Sequence, residues 1–218
     1  MTLPSPPFQG RGQGRKPRLT IQPRNTMTEN TTTTTYPVVT RLDVGFDMVE
    51  DRLIAHLHTV ADGTRVVLIT RRLMRLLLDH HAALLRRTSE TAARAPAGQR
   101  DEVLRMEHVG ALSTVSANGV PPVTNAAAGT PPAVWLAREV QFRVEGAAII
   151  IGFMGQRRDT GAEKRPVNEP IGAMTLNRAD AHRILAMLAK RSKDADWGLE
   201  HHAPWLTEAG VEGQQAIN

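Results

Sequence analysis

Twice in this chain, an apolar/polar alternation of period two gives way to apolar residues spaced three and four apart. Each change falls at a single polar residue followed by arginine: Leu68-Ile69-Thr70-Arg71 in the first half and Thr175-Leu176-Asn177-Arg178 in the second. A period of two buries one face of a strand, and a period near 3.6 buries one stripe of a helix. A side-chain oxygen at the junction can accept from an amide of the first helical turn, so Thr70 and Asn177 read as N-caps. A chain built this way must lay a helix back on the strands that precede it.

The strands are legible on both sides of the repeat. Leu42, Val44 and Phe46 alternate with Arg41, Asp43, Gly45 and Asp47. Leu53, Ala55 and Leu57 alternate with Ile54, His56 and His58, and a third strand runs over Arg65–Ile69. Asp62-Gly63 between them predicts a type I′ hairpin turn. In the second half Val140, Phe142 and Val144 alternate with Glu139, Gln141 and Arg143. Glu145-Gly146 makes a turn, Ala147–Phe153 is apolar except for Gly152, and Ile171–Leu176 is a third strand. The fold class expected is α+β, with antiparallel strands in two β-β-β-α units at 37–95 and 135–198. A disordered arm (1–36), a linker with a short helix (96–134) and a tail (199–218) complete the division.

The helix after Thr70 places Leu73, Met74, Leu77, Leu78, Leu84 and Leu85 on one face. Arg71, Arg72, Arg75, Asp79, Arg86 and Arg87 fall on the other, and Leu76 is the misfit. His81 lies within the apolar arc and is expected as a hydrogen-bonded core histidine. The second helix buries Ala181, Ile184, Leu185 and Leu188, with Asp180 placed for a capping box and Lys190, Arg191 and Lys193 favouring its C-terminal dipole. Trp197 is expected to fold back on that face. A helix around Val103, Leu104 and Met106 is expected within the linker. Ser113–Pro132, rich in Ala, Pro, Gly, Thr and Asn, has loop composition.

Charge narrows the function classes. The 218 residues hold 27 bases and 22 acids. Arg11, Arg15, Lys16, Arg18 and Arg24, in a first stretch of 26 residues without an acid, account for the whole excess. The remainder is neutral, so overall charge gives no support to a nucleic-acid reading of the folded part. Met27 opens a more ordinary beginning and is expected to be the biological start. The absence of cysteine excludes disulfides and thiolate metal sites. No run of about 18 apolar residues spans a membrane, no secretory leader is recognisable, and a cytoplasmic location is expected.

No residue is assigned a catalytic, cofactor-binding or metal role. His56 and His58 share a strand face, and His80-His81 and His201-His202 form further pairs. None has the spacing of a zinc motif, and no cofactor is expected. Nucleophile elbows and phosphate-cradling loops are also missing. The acidic cluster Asp43, Asp47, Glu50 and Asp51 reads as a solvated hairpin end.

Two features point to binding. Arg71, Arg72, Arg75, Arg86 and Arg87 form a basic helix face able to contact phosphates or a partner, although a solvated face is the commoner cause of such a stripe. Sheet readers of single strands stack bases on exposed aromatics, whereas Phe46 and Phe142 are assigned to the core side and Phe153 to the apolar run. The other feature is Ala147–Phe153, where Ile149, Ile151 and Phe153 face one way and Ala148 and Ile150 the other. A strand apolar on both faces is normally covered on both, and one helix per unit covers one. Ile149, Ile150, Ile151 and Phe153 are therefore a candidate interface. The expected function is that of a non-enzymatic accessory or structural protein, self-associating or docking on a protein partner through its sheet faces. Nucleic-acid binding by the arginine face is the alternative.

Overall fold

The computed structural model describes residues 35–113, 132–158, 167–199 and 203–206. Most of the 1–36 arm, the loop-like 114–131 and most of the 199–218 tail lie outside the described residues. The elements are β1 (Val39–Asp47), β2 (Arg52–Thr59), β3 (Gly63–Ile69), α1 (Arg71–Thr88), α2 (Glu90–Arg94), α3 (Arg100–Ser113), β4 (Val134–Glu145), β5 (Ala148–Arg157), β6 (Glu169–Leu176) and α4 (Arg178–Asp194). The class is α+β: among the described residues there is one mixed sheet of six strands with four helices.

The strands lie in chain order, antiparallel except at β3–β4, where Val66–Leu68 runs parallel to Val134–Leu136. Parallel neighbours need a crossover, and α1, α2 and α3 lie on that connection. The register shows how the sheet curls. Leu42, Val44 and Phe46 of β1 oppose Leu57, Ala55 and Leu53 of β2, and Val67 lies beside Trp135. The same inner face continues through Val140, Phe142 and Val144, then Ile151 and Phe153, then Gly172 and Met174. A β-carbon on Gly172 of β6 would come 3.5 Å from Leu57 on β2 and 2.7 Å from Val39. The rolled sheet thus brings its two ends together. The Ala173 amide donates to the Pro37 carbonyl, and Val38 bridges Ala173 in parallel. Above that bridge β1 and β6 part.

The core fills this roll. Leu53, Leu57, Ile69, Ile151, Phe153 and Ile171 are each at most 2 % exposed, and burying a side chain of this size stabilises by roughly 1.5–3 kcal/mol. Both long helices cover the inner face: α1 packs on β4, and α4 spans β1, β5 and β6. α1 buries Leu73, Met74, Leu77, Leu78, Leu84 and Leu85 and leaves Leu76 42 % exposed, as its spacing predicts. It stops at Ser89, whose hydroxyl accepts from the Ala92 amide (2.9 Å) and starts α2 as a fresh helix.

Several expectations change. The turn at Asp62-Gly63 is not type I′, which needs positive φ at both central residues. Only Gly63 has it, at 78°. Thr59 instead pairs with Gly63 across a three-residue loop, and the Asp62 carboxylate accepts from the Thr59 hydroxyl (2.6 Å). β4 begins at Val134, earlier than its alternation shows, because Trp135 and Ala137 are inner-face residues paired to β3 and β5. The expected linker helix, α3, belongs to the core and buries Leu104, His108 and Ala111. Trp197 is buried at the end of β1: it packs edge-on against Phe46 and its indole donates to Asp51 (2.6 Å).

Candidate functional site

The outer face of the sheet carries the binding-type chemistry. Ile54 opposes Leu68, and Leu68 lies beside Leu136. In the next row Val66 lies beside Val134. The result is an apolar band across β2, β3 and β4, pointing away from both long helices. Ile54, Val66, Val134 and Leu136 are half-exposed and Leu68 is buried at 8 %. Beside the band, a polar network links three strands. His58 Nε2 lies 2.9 Å from the Asp43 carboxylate, and Thr64 Oγ1 lies 3.0 Å from His58 Nδ1. Arg41 also pairs with Asp43 (2.9 Å). The Asp43 carboxyl is half-exposed, and although burial opposes the shift, bonds from Arg41 and His58 hold it below the usual carboxylate range. Hydroxyl, imidazole and carboxylate are thus in line, but on an outer sheet face flanked by an arginine, an arrangement that fixes strand register.

The proposed interface residues divide between the faces. Ile149, Ile151 and Phe153 are 2 %, 1 % and 2 % exposed. They lie under α1 and α4 and are not available to a partner. Only Ile150 points outward, half-buried between Arg143 and Thr175. The first three strands do not cover this second face, because β4 joins β3 edge to edge. Part of the cover comes from Tyr36, whose ring lies 3.2 Å from where a Gly152 β-carbon would stand and whose hydroxyl donates to Gln141 (2.8 Å).

The parting of β1 and β6 leaves a cleft of about 310 Å³. Thr40, Arg41 and Leu42 form one wall, Met174–Leu176 the other, and Asp180, Arg183 and Ile184 of α4 the floor. Arg183 donates to the Ala111 carbonyl (2.9 Å) and pairs with Asp180 (2.6 Å), so the floor is tied to α3.

The arginine face divides into two clusters. Arg71, Arg72 and Arg75 occupy the first two turns of α1, while Arg86 and Arg87 lie in the last, roughly 16 Å further along the axis at 1.5 Å per residue. Arg86 is paired with Asp101 of α3 at 2.5 Å. Arg71, Arg72 and Arg75 are exposed, form no ion pair among the described residues, and have no acid in the first turn beside them. Arg65, at the head of the same basic stretch, belongs to the core. It pairs with Asp62, donates to the Pro170 and Ile171 carbonyls (3.3 and 2.8 Å) and lies 5.4 Å from the Trp135 ring centre.

Sequence reasoning missed a buried histidine cluster where α1, α3 and α4 meet. His81, His108 and His182 are 0 %, 2 % and 1 % exposed. His108 Nδ1 and His182 Nδ1 lie 3.2 Å apart, and the Trp205 ring packs edge-on against both, at 5.6 and 5.8 Å between centres. His81 tilts against Phe142 at 5.8 Å, and neither of its ring nitrogens has a hydrogen-bond partner among the described residues, contrary to the expectation of a bonded core histidine. Burial pushes all three down; His81 and His182 fall to about 4, aided by neighbouring histidine charge. Beside them Arg178 grips Glu107 (2.5 Å), the Thr88 hydroxyl (3.0 Å) and the Leu85 carbonyl (2.9 Å). The spacing i, i+4 of Arg178 and His182 could have marked them as neighbours, but nothing in sequence brings His81 or His108 to them. No group of three or more His, Asp or Glu is placed to hold a metal among the described residues. No helix among them is long and apolar enough to cross a membrane.

Comparison with protein-family models, curated proteins and solved structures finds no match.

Proposed function

We infer that this chain is a non-enzymatic accessory protein that self-associates or docks on a protein partner through the outer face of its sheet. The observation that carries this reading is the apolar band Ile54–Leu68–Leu136 with Val66 and Val134, turned away from α1 and α4 and half-exposed at four of its five positions. Water-facing strand positions are ordinarily polar, and a contiguous apolar band marks a contact surface. The interface centres on β2–β4 and reaches Ile150 only at its margin. The same reading treats 37–95 and 135–198 as two β-β-β-α units of like pattern. Its support is the pair of capped junctions, where Thr70 accepts from the Leu73 amide (3.3 Å) and Asn177 from the Asp180 amide (2.8 Å). A cytoplasmic location is part of the proposal, in keeping with a chain that has no cysteine.

Light scattering on the full chain, over a concentration series, tests this reading. Association is expected, and Leu136→Arg or Ile54→Arg shifts it at least tenfold toward monomer while far-ultraviolet circular dichroism stays unchanged. A wild-type monomer that retains no partner from its native host, or an association indifferent to both substitutions, overturns the reading.

A second reading has one observation in its favour: three arginines without acidic partners among the described residues at the N-terminus of α1, where the helix dipole favours anions over cations. Phosphates on Arg71, Arg72 and Arg75 would relieve that repulsion. Single-strand binding that weakens steeply with salt, and whose salt slope drops in the triple Gln variant, supports it. Binding unchanged by that variant removes it.

A further inference from the structure

The imidazoles of His108 and His182 form a buried pair that permits only certain protonation states. At 3.2 Å between Nδ1 atoms, one ring donates its N–H and the other accepts. One added proton leaves the bond geometrically possible, because a charged ring still donates to a neutral acceptor, but burial opposes that charge. A second places two N–H groups head to head and breaks the bond. The pair lies beneath Trp205, which is 1 % exposed and edge-on to both rings. Trp205 belongs to a short 3-10 turn, Pro204–Leu206, which packs on α3 and borders α1 across a cavity of about 140 Å³. It is therefore the clasp by which the end of the described chain is fastened to the helices.

The groups around the pair offer little to a second positive charge. From α3 comes Glu107, whose carboxylate is taken by Arg178 and by the Ser89 hydroxyl (2.7 Å) and stands 3.8 Å from His182 Nε2. From α4 comes Arg178, a like charge; Asp180 of the same helix is paired with Arg183. α1 contributes His81, itself buried, and Asp79 and Arg86 line the cavity rim. The 3-10 turn supplies the Trp205 ring, and the Phe142 ring of β4 lies against His81.

We propose that His108 and His182 form an acid-released latch: double protonation of the pair frees the Pro204–Leu206 turn from α3 and uncovers the groove along α1 that Trp205 occupies. This is independent of the reading above. Both imidazoles are held below their ordinary pKa by burial, so the closed state resists protons and the open state takes them up. The open fraction therefore grows as pH falls below the ordinary histidine value near 6.5, by about 100-fold per unit when two protons are taken up.

The test labels the full chain with 5-fluorotryptophan and follows its fluorine resonances from pH 7.5 to 4.5, with Trp205 assigned through Trp205→Phe. The Trp205 resonance is expected to move to a solvent-exposed position with a Hill slope near two, ahead of any change at Trp135 and Trp197. His182→Gln lowers that slope to about one, and His108→Gln does the same should the first variant fold poorly. The proposal is overturned when all three resonances move together, when Trp205 stays in place to pH 4.5, or when the variants keep the wild-type slope.

Discussion

The two helices that lie on the sheet start alike and end up differently employed. α1 opens with Thr70-Arg71 and α4 with Asn177-Arg178, each cap side chain accepting from an amide three residues on. Yet Arg71 stands in solvent, while Arg178 is half-buried and holds Glu107 of α3 together with Thr88 and the Leu85 carbonyl at the end of α1. One turn further, Arg75 is exposed and its counterpart His182 is 1 % exposed. The difference comes from what packs alongside. α3 lies against α4, whereas the arginines at the start of α1 are exposed. Identical local grammar produces a solvated terminus in one place and a three-helix junction in the other.

The largest effect that sharpens this contrast is acid sensitivity, which should belong to the α4 junction. His81 and His182 are at about 4 in the folded chain, below the ordinary value near 6.5. The unfolded chain therefore binds more protons in this window. Stability is complete above about pH 6.5 and is lost as pH falls toward 4. At pH 5 the two groups together cost roughly 4 kcal/mol, taking about 1.4 kcal/mol per unit of pH for each. Urea unfolding at pH 7.5 and 5.0 measures this, and His182→Gln should remove about half of the drop. A stability that is flat across the range would break the comparison, because the junction would then be wet.

Next in size is the arginine itself. Arg178→Met leaves Glu107 half-buried without its cation and is expected to cost about 3 kcal/mol, with Glu107→Gln recovering part of that loss in the double variant. The caps come third. Asn177→Ala and Thr70→Ala should each cost about 1 kcal/mol, and near-equal values would show that the two starts are locally equivalent despite their unlike surroundings.

Legibility in the sequence follows the same division. Alternation in β1, β2 and the Val140–Val144 part of β4 and the leucine stripe of α1 are local patterns, and each is readable because burial on one side of an element leaves its own period. Trp135–Ala137 was not readable as a strand start, because that segment pairs with β3 in parallel across a long connection and borders a loop-like composition. His108 shows the limit for the candidate sites. It falls in a helix of weak amphipathic pattern, and only the packing of α3 on α4 turns it toward His182. The band Ile54–Leu68–Leu136 was hidden for a related reason. Each residue sits at an outer position of a different strand, so the band exists only in the register between strands.

The smallest effect has the opposite sign and cuts most directly between the two termini. Arg71 and Arg75 put positive charge where the unpaired amides of α1 already create a positive end, with no acid in the first turn to offset it. Arg71→Glu should therefore stabilise the chain by about 0.5 kcal/mol in low salt, fading as ionic strength rises, while Arg178→Glu destabilises severely. Paired thermal melts at two salt concentrations read both. A stabilising Arg71→Glu shows that the positive end of α1 is uncompensated at Arg71, the condition on which the phosphate reading of Arg71, Arg72 and Arg75 rests. A destabilising result comparable with Arg178→Glu would instead give Arg71 a structural partner and erase the difference between the two helix starts.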